Sequence, residues 1–139
     1  MSVDPAIDAK IRASFARQSM MTTLGAELTE IAPGAVEIIA PILPGSQQQH
    51  RAAHAALSFA IGDSAAGYSA LTLFGPDQEV LTAEMKINLL RPAVGDRLIA
   101  KGSVVKPGRR LSVVQAEVFA VADGQSKLVG LLQGTMVPV

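Results

Sequence analysis

Apolar and polar residues alternate with a readable period along most of this chain, and in one stretch they do not. Residues 4 to 17 carry apolar side chains at every fourth position (Ile7, Ile11, Phe15). Asp8, Lys10, Arg12 and Arg17 fall off that stripe, which predicts an amphipathic helix. Asp4 stands as its N-cap, and Pro5 fits the first turn. Residues 24–31 and 35–42 read as a hairpin of two strands turned by Pro33-Gly34. From 80 to 90 the period drops to two. Leu81, Ala83, Met85, Ile87 and Leu89 fall on one face, and Thr82, Glu84, Lys86 and Asn88 on the other. Strand signal continues through 97–105, 111–121 and 127–137, with turns at Lys106-Pro107-Gly108 and Asp123-Gly124. Links this short make the consecutive strands antiparallel.

The exception is 52–73, where alanine, serine, glycine and large apolar residues occupy every face before Gly75-Pro76 ends the run. It reads as a buried helix about 33 Å long. Its small side chains, Gly62 and Gly67 among them, suit close enclosure by other backbone. The predicted class is α+β: one long central helix against an antiparallel sheet of five or six strands, with an N-terminal helix. Residues 1–139 show no repeat or linker and form one domain. A sheet of that size with one helix leaves an edge exposed, which favours pairing with another copy.

Composition narrows the chemistry. Hydrophobic residues make up 49% and charged residues 17%, as in a globular domain. Lys and Arg balance Asp and Glu at 12 each, so no basic field argues for a nucleic-acid partner. There is no cysteine, which excludes thiolate nucleophiles and thiolate metal sites. His50 and His54 are the only histidines, and acids near them are scarce, so no metal is expected. The first 17 residues lack the apolar core of a signal peptide. The 52–74 run is long enough to cross a bilayer, but His54 and Asp63 within it speak against that. No membrane partner and a cytoplasmic location are expected.

Asp63 stands out against this background. It is the only acid between Glu37 and Asp77, and it lies in the middle of the most apolar run. A carboxylate so placed is costly to desolvate unless something pairs with it or its pKa rises. One reading is a structural acid satisfied by serine or backbone donors. The other is a working acid, since sequences break local patterning mainly where a site needs it. The backbone N–H of Ala55, in the first turn of the predicted helix, lies at the positive end of the helix dipole.

The segment Gln48-Gln49-His50-Arg51-Ala52-Ala53-His54-Ala55-Ala56-Leu57, with Asp63 nine positions after His54 and Ser64-Ala65-Ala66-Gly67 behind it, resembles the PaaI-like acyl-CoA thioesterases of the hotdog fold. Asn88-Leu89-Leu90-Arg91-Pro92 leading into Gly95-Asp96 matches the strand that follows in that family. The similarity covers roughly residues 20 to 137. It implies hydrolysis of an acyl-CoA thioester without a cofactor. Asp63 would attack directly or activate water, Ala55 would supply its amide, Gln48 would position the water or the carbonyl, and His54 would brace the loop. Where the family has His-Gly-Gly, this chain has His54-Ala55-Ala56, which keeps the amide and narrows the space beside it. For the phosphates of coenzyme A the candidate cations are Arg91, Arg109 and Arg110.

Ala55 and Asp63 lie about 12 Å apart along a straight helix, whereas a reacting carbonyl and its attacker must come within about 3.5 Å. Two antiparallel helices from two subunits bring one amide to the other's acid, which is also how the resembling family builds its sites. A homodimer, or a tetramer made of two such dimers, follows. Two rivals remain: an enoyl-CoA hydratase or dehydratase on the same fold, and a non-catalytic acyl-CoA-binding module.

Overall fold

The computed structural model describes residues 2–139. Helix α1 (Pro5–Arg17) starts as expected, with the Asp4 carboxylate accepting from the Ala6 amide at 2.8 Å. Ile11 is fully buried on its inner face, with Ile7 and Phe15 packed beside it. A short second helix, α2 (Ser19–Leu24), follows. The strand expected over 24–31 therefore begins later, as β1 (Glu27–Ala32), because Gly25 takes a left-handed φ of 68° and closes the helix first.

The hairpin partner is β2 (Ala35–Pro41), and a single 3-10 turn at Pro44–Ser46 leads to the central helix α3 (Ala55–Leu71). At 17 residues this helix is shorter than the predicted run. Ala53 is drawn into a bridge with Gln47, so the chain enters the helix only after His54. At the other end the Thr72 hydroxyl donates to the Ser69 carbonyl at 2.6 Å and accepts from the Gly34 amide at 2.7 Å, which ties the helix end to the β1–β2 turn. The remaining strands are β3 (Val80–Leu89), β4 (Arg97–Lys106), β5 (Ser112–Ala122) and β6 (Gln125–Pro138).

All six strands form one antiparallel sheet in the order β1-β2-β4-β5-β6-β3, so β1 and β3 are its edges. Helix α3 lies across one face. Leu57, Ile61, Ala65 and Leu71 from the helix meet Ile38, Leu98, Val118 and Leu132 from the strands, all essentially removed from water. The small residues make this contact close. A methyl group at Gly102 of β4 would lie 2.3 Å from the Ala65 carbonyl, so only glycine lets the helix backbone settle on that strand.

One irregularity changes the face that Thr82 takes. Between Thr82 and Glu84 the β3–β6 register slips, with Thr82 opposite Met136 and Glu84 opposite Thr135. This bulge breaks the expected alternation. Thr82 shares the inner face with Met85 and Ile87, while Leu81 turns outward and is 59% exposed.

The Gly102 contact yields a stability test. Gly102→Ala is expected to cost about 3 kcal/mol by forcing the helix off the sheet, read as a lower urea midpoint. A midpoint equal to that of the native chain would show that the helix does not rest on β4 there.

Candidate active site

The approach to α3 is a tight loop. The Gln48 amide donates to the Ala52 carbonyl at 2.9 Å, and the Arg51 amide to the Gln48 carbonyl at 3.1 Å. Arg51 sits at a left-handed φ of 69°, an unusual conformation for a residue with a side chain. The His54 amide donates to the Ser46 carbonyl and the Ala53 amide to the Ala93 carbonyl, both at 2.9 Å, so the loop is pinned on two sides. The Gln48 side-chain oxygen accepts from the His50 amide. That leaves its NH₂ without a protein acceptor among the described residues.

His54 is the N-cap of α3. Its Nδ1 accepts from the Ala56 amide at 2.9 Å, which requires Nδ1 to be unprotonated and turns the imidazole into a brace for the helix start. The next amide, that of Ala55, has no hydrogen-bond acceptor among the described residues. It is one of the orphan donors of a helix N-terminus, at the positive end of the dipole.

Ala55 lines a cleft of about 490 Å³. Gln48, His54, Ala55, Ser58, Leu89 and Arg91 are among its lining, so four of the residues singled out from the sequence gather in one place. Arg91 is held there by a hydrogen bond from its Nη1 to the Leu128 carbonyl at 3.0 Å. Arg109 and Arg110 are elsewhere, in an open groove of about 600 Å³ formed by the β4–β5 turn.

Asp63 lies two turns further along α3 and is not part of the cleft wall. It is half-buried. Burial raises its carboxyl above the ordinary carboxylate range, and a hydrogen bond from Thr82 Oγ1 at 2.8 Å opposes part of that rise. Thr82 is the partner of Asp63 that the sequence pattern misplaced. Strict alternation sends it to the outer face, and the bulge returns it to the acid. Among the described residues no three His, Asp or Glu side chains gather to hold a metal ion, and no helix is long and apolar enough to cross a membrane.

The family model of the thioesterase superfamily matches residues 50–127, which include the helix start, Asp63, Thr82 and Arg91. A crystal structure of a thioesterase family protein from Silicibacter pomeroyi superposes with a TM-score of 0.94 at 40% identity, covering 96% of this chain and 98% of that one. The chain belongs to the thioesterase superfamily. Its resemblance to PaaI-like members extends to the E. coli PaaI protein, with a TM-score of 0.86 at 21% identity over 99% of this chain and 96% of that one. A Bacillus halodurans protein crystallised with CoA shares the fold at a TM-score of 0.78 and 21% identity, covering 96% of this chain and 86% of that one. No curated protein matches the chain.

The state of Asp63 has a consequence for stability. With its carboxyl raised, the folded protein binds the proton more tightly than the unfolded chain does, and ionisation costs folding energy. The cost is absent below the ordinary carboxylate range and is reached in full once pH passes the raised value. Asp63→Asn is therefore expected to melt a few degrees above the native chain at pH 8. The gap should close as pH falls to about 4. A gap that does not change with pH would contradict the desolvation of Asp63.

Proposed function

We propose that this superfamily member hydrolyses an acyl-CoA thioester at a site shared by two copies of the chain. The unpaired Ala55 amide carries this reading, because it is a free donor on a residue that lines a cleft where an oxyanion can form. Gln48, with a free NH₂ on the same cleft, holds the carbonyl or the water. Arg91 supplies positive charge for the carrier. The CoA in the Bacillus halodurans structure supports this substrate class. No cofactor takes part, and a cytoplasmic location suits such a substrate.

Asp63 acts on the same carbonyl from the partner copy, as nucleophile or as general base. Its separation from Ala55 of its own chain, about 12 Å along the helix, supports that arrangement. So does the unpaired edge of β3, where Leu81 and Leu89 are exposed. Antiparallel pairing that sets Ala55 on the partner's acid centres on the residue midway between them, Phe59. This side chain is 36% exposed on the helix face turned away from the sheet. Desolvation of Asp63 strengthens it as a base, and the Thr82 hydroxyl opposes part of the rise that would protonate it. The hydratase reading needs a histidine that exchanges protons with the substrate, whereas His54 is held through Nδ1 as the cap of the helix.

Release of free thiol from a panel of acyl-CoAs tests the proposal. Asp63→Ala should lower kcat by roughly a thousand-fold. Thr82→Val should keep activity and move the acid limb of the rate profile to higher pH, because the ionised carboxylate loses its donor. No hydrolysis by the native protein, or full activity in Asp63→Ala, would remove the hydrolase. The register has its own check. The sequence holds no cysteine, so Phe59→Cys provides a single thiol per chain and should cross-link two copies under mild oxidation. Failure to cross-link in a confirmed dimer would shift the two-fold axis away from Phe59.

A further inference from the structure

The cleft at the head of α3 has two kinds of wall. His54, Ala55, Leu89, Arg91 and Pro92 are exposed at its mouth, whereas Ala52, Ala53, Ala93 and Val129 are buried. Ser58 belongs to the buried set at 2% exposure, and it is the one polar side chain there.

A serine or threonine on a helix commonly returns its hydroxyl to a carbonyl one turn back. Ser69 and Thr72, at the far end of α3, both do so at 2.6 Å. The Ser58 hydroxyl instead has no hydrogen-bond partner among the described residues. Among those residues no unpaired side-chain oxygen is sealed from its surroundings. The Ser58 oxygen therefore keeps an open surface, and the cleft is the hollow that Ser58 lines.

Ser58 follows Ala55 by three residues, so the two share one helix face about 4.5 Å apart along the axis. A carbonyl held by the Ala55 amide has the Ser58 hydroxyl about one turn away, on the buried side. The carrier of a thioester is polar and leaves by the exposed mouth, so the acyl group is the part that meets the buried wall. Alanines and one valine make that wall, which suits a short chain. Resting on the hydrolase reading above, we infer that Ser58 selects short acyl groups carrying an oxygen on C3, as 3-hydroxy or 3-oxo, by hydrogen-bonding that oxygen. A plain hydrocarbon chain would cover the hydroxyl and leave it unpaired, which is how a buried polar group rejects the analogue that lacks its partner.

Hydrolysis of butyryl-CoA beside the two enantiomers of 3-hydroxybutyryl-CoA tests the selection. The native protein should favour one hydroxylated substrate about ten-fold in kcat/KM, and Ser58→Ala should bring that ratio to about one. A role in packing alone would not move the ratio, because the substrates share one carbon chain. Equal values in the native protein, or a preference that survives in Ser58→Ala, would overturn the inference. Binding separates this result from the hydrolase reading. Ketone analogues with a methylene between the carbonyl and the CoA sulfur contain no thioester to cleave. In calorimetric titration the hydroxylated ketone should bind about ten-fold more tightly than the plain one, and Ser58→Ala should lose the difference. That outcome would uphold Ser58 even if Asp63 proved not to be the acid of a hydrolase. Equal binding of the two ketones, or none, would overturn it.

Discussion

A half-buried carboxylate whose one side-chain donor is a threonine on an edge strand sets the terms for the rest of this molecule. Asp63 lies on a helix that settles closely on the strands beneath it, most tightly where Ala65 meets Gly102 of β4. Close packing takes water from the acid, and loss of water raises its pKa and its basicity together. The Thr82 hydroxyl limits that rise. Without it the group would drift towards the protonated form, which can neither attack nor accept a proton. The fold thus spends some stability on a charge it does not neutralise, a common cost of working sites.

The opposite end of the device is the helix start. His54 takes the Ala56 amide, the two loop contacts to Ser46 and Ala93 fix the entry, and the Ala55 amide is left over. Helix geometry then keeps this donor and Asp63 about two turns apart, so one chain holds both groups of the proposed site without joining them. The missing join, the uncovered edge of β3 and the exposed Phe59 all direct attention to a second copy. The same distance that prevents a site within one chain sets the register proposed between two.

Much of this was legible in the sequence, for physical reasons. The period of four in α1, the period of two in the strands and the unbroken apolar run of α3 each report burial directly, and the residue motif around His54 and Asp63 carried the family. What escaped was set by single local events. Gly25 closes a short helix ahead of β1, and the Gln47–Ala53 bridge delays α3. The β3 bulge reverses the face of Thr82, so a residue that strict alternation places in solvent becomes the partner of the acid. Arg109 and Arg110 drew notice as a charged pair, yet they sit in a turn groove of their own. Arg91 reaches the Leu128 carbonyl only because β6 runs between β5 and β3. Adjacency of that kind is a property of the sheet order, and no local pattern reports it.

Subunit complementation tests the shared site most directly. Ala55 is the first residue of α3, where proline is tolerated, and His54 already has the extended ψ of 143° that a following proline requires. Ala55→Pro therefore deletes the one free N–H with little disturbance, and Asp63→Asn deletes the acid. Each variant alone should be inactive. When they are unfolded together and refolded at equal amounts, half of the dimers are mixed, and each mixed dimer has one site with both groups intact. About a quarter of native thioesterase activity should return. A mixture as inactive as its two components would place amide and acid within one chain and contradict the account.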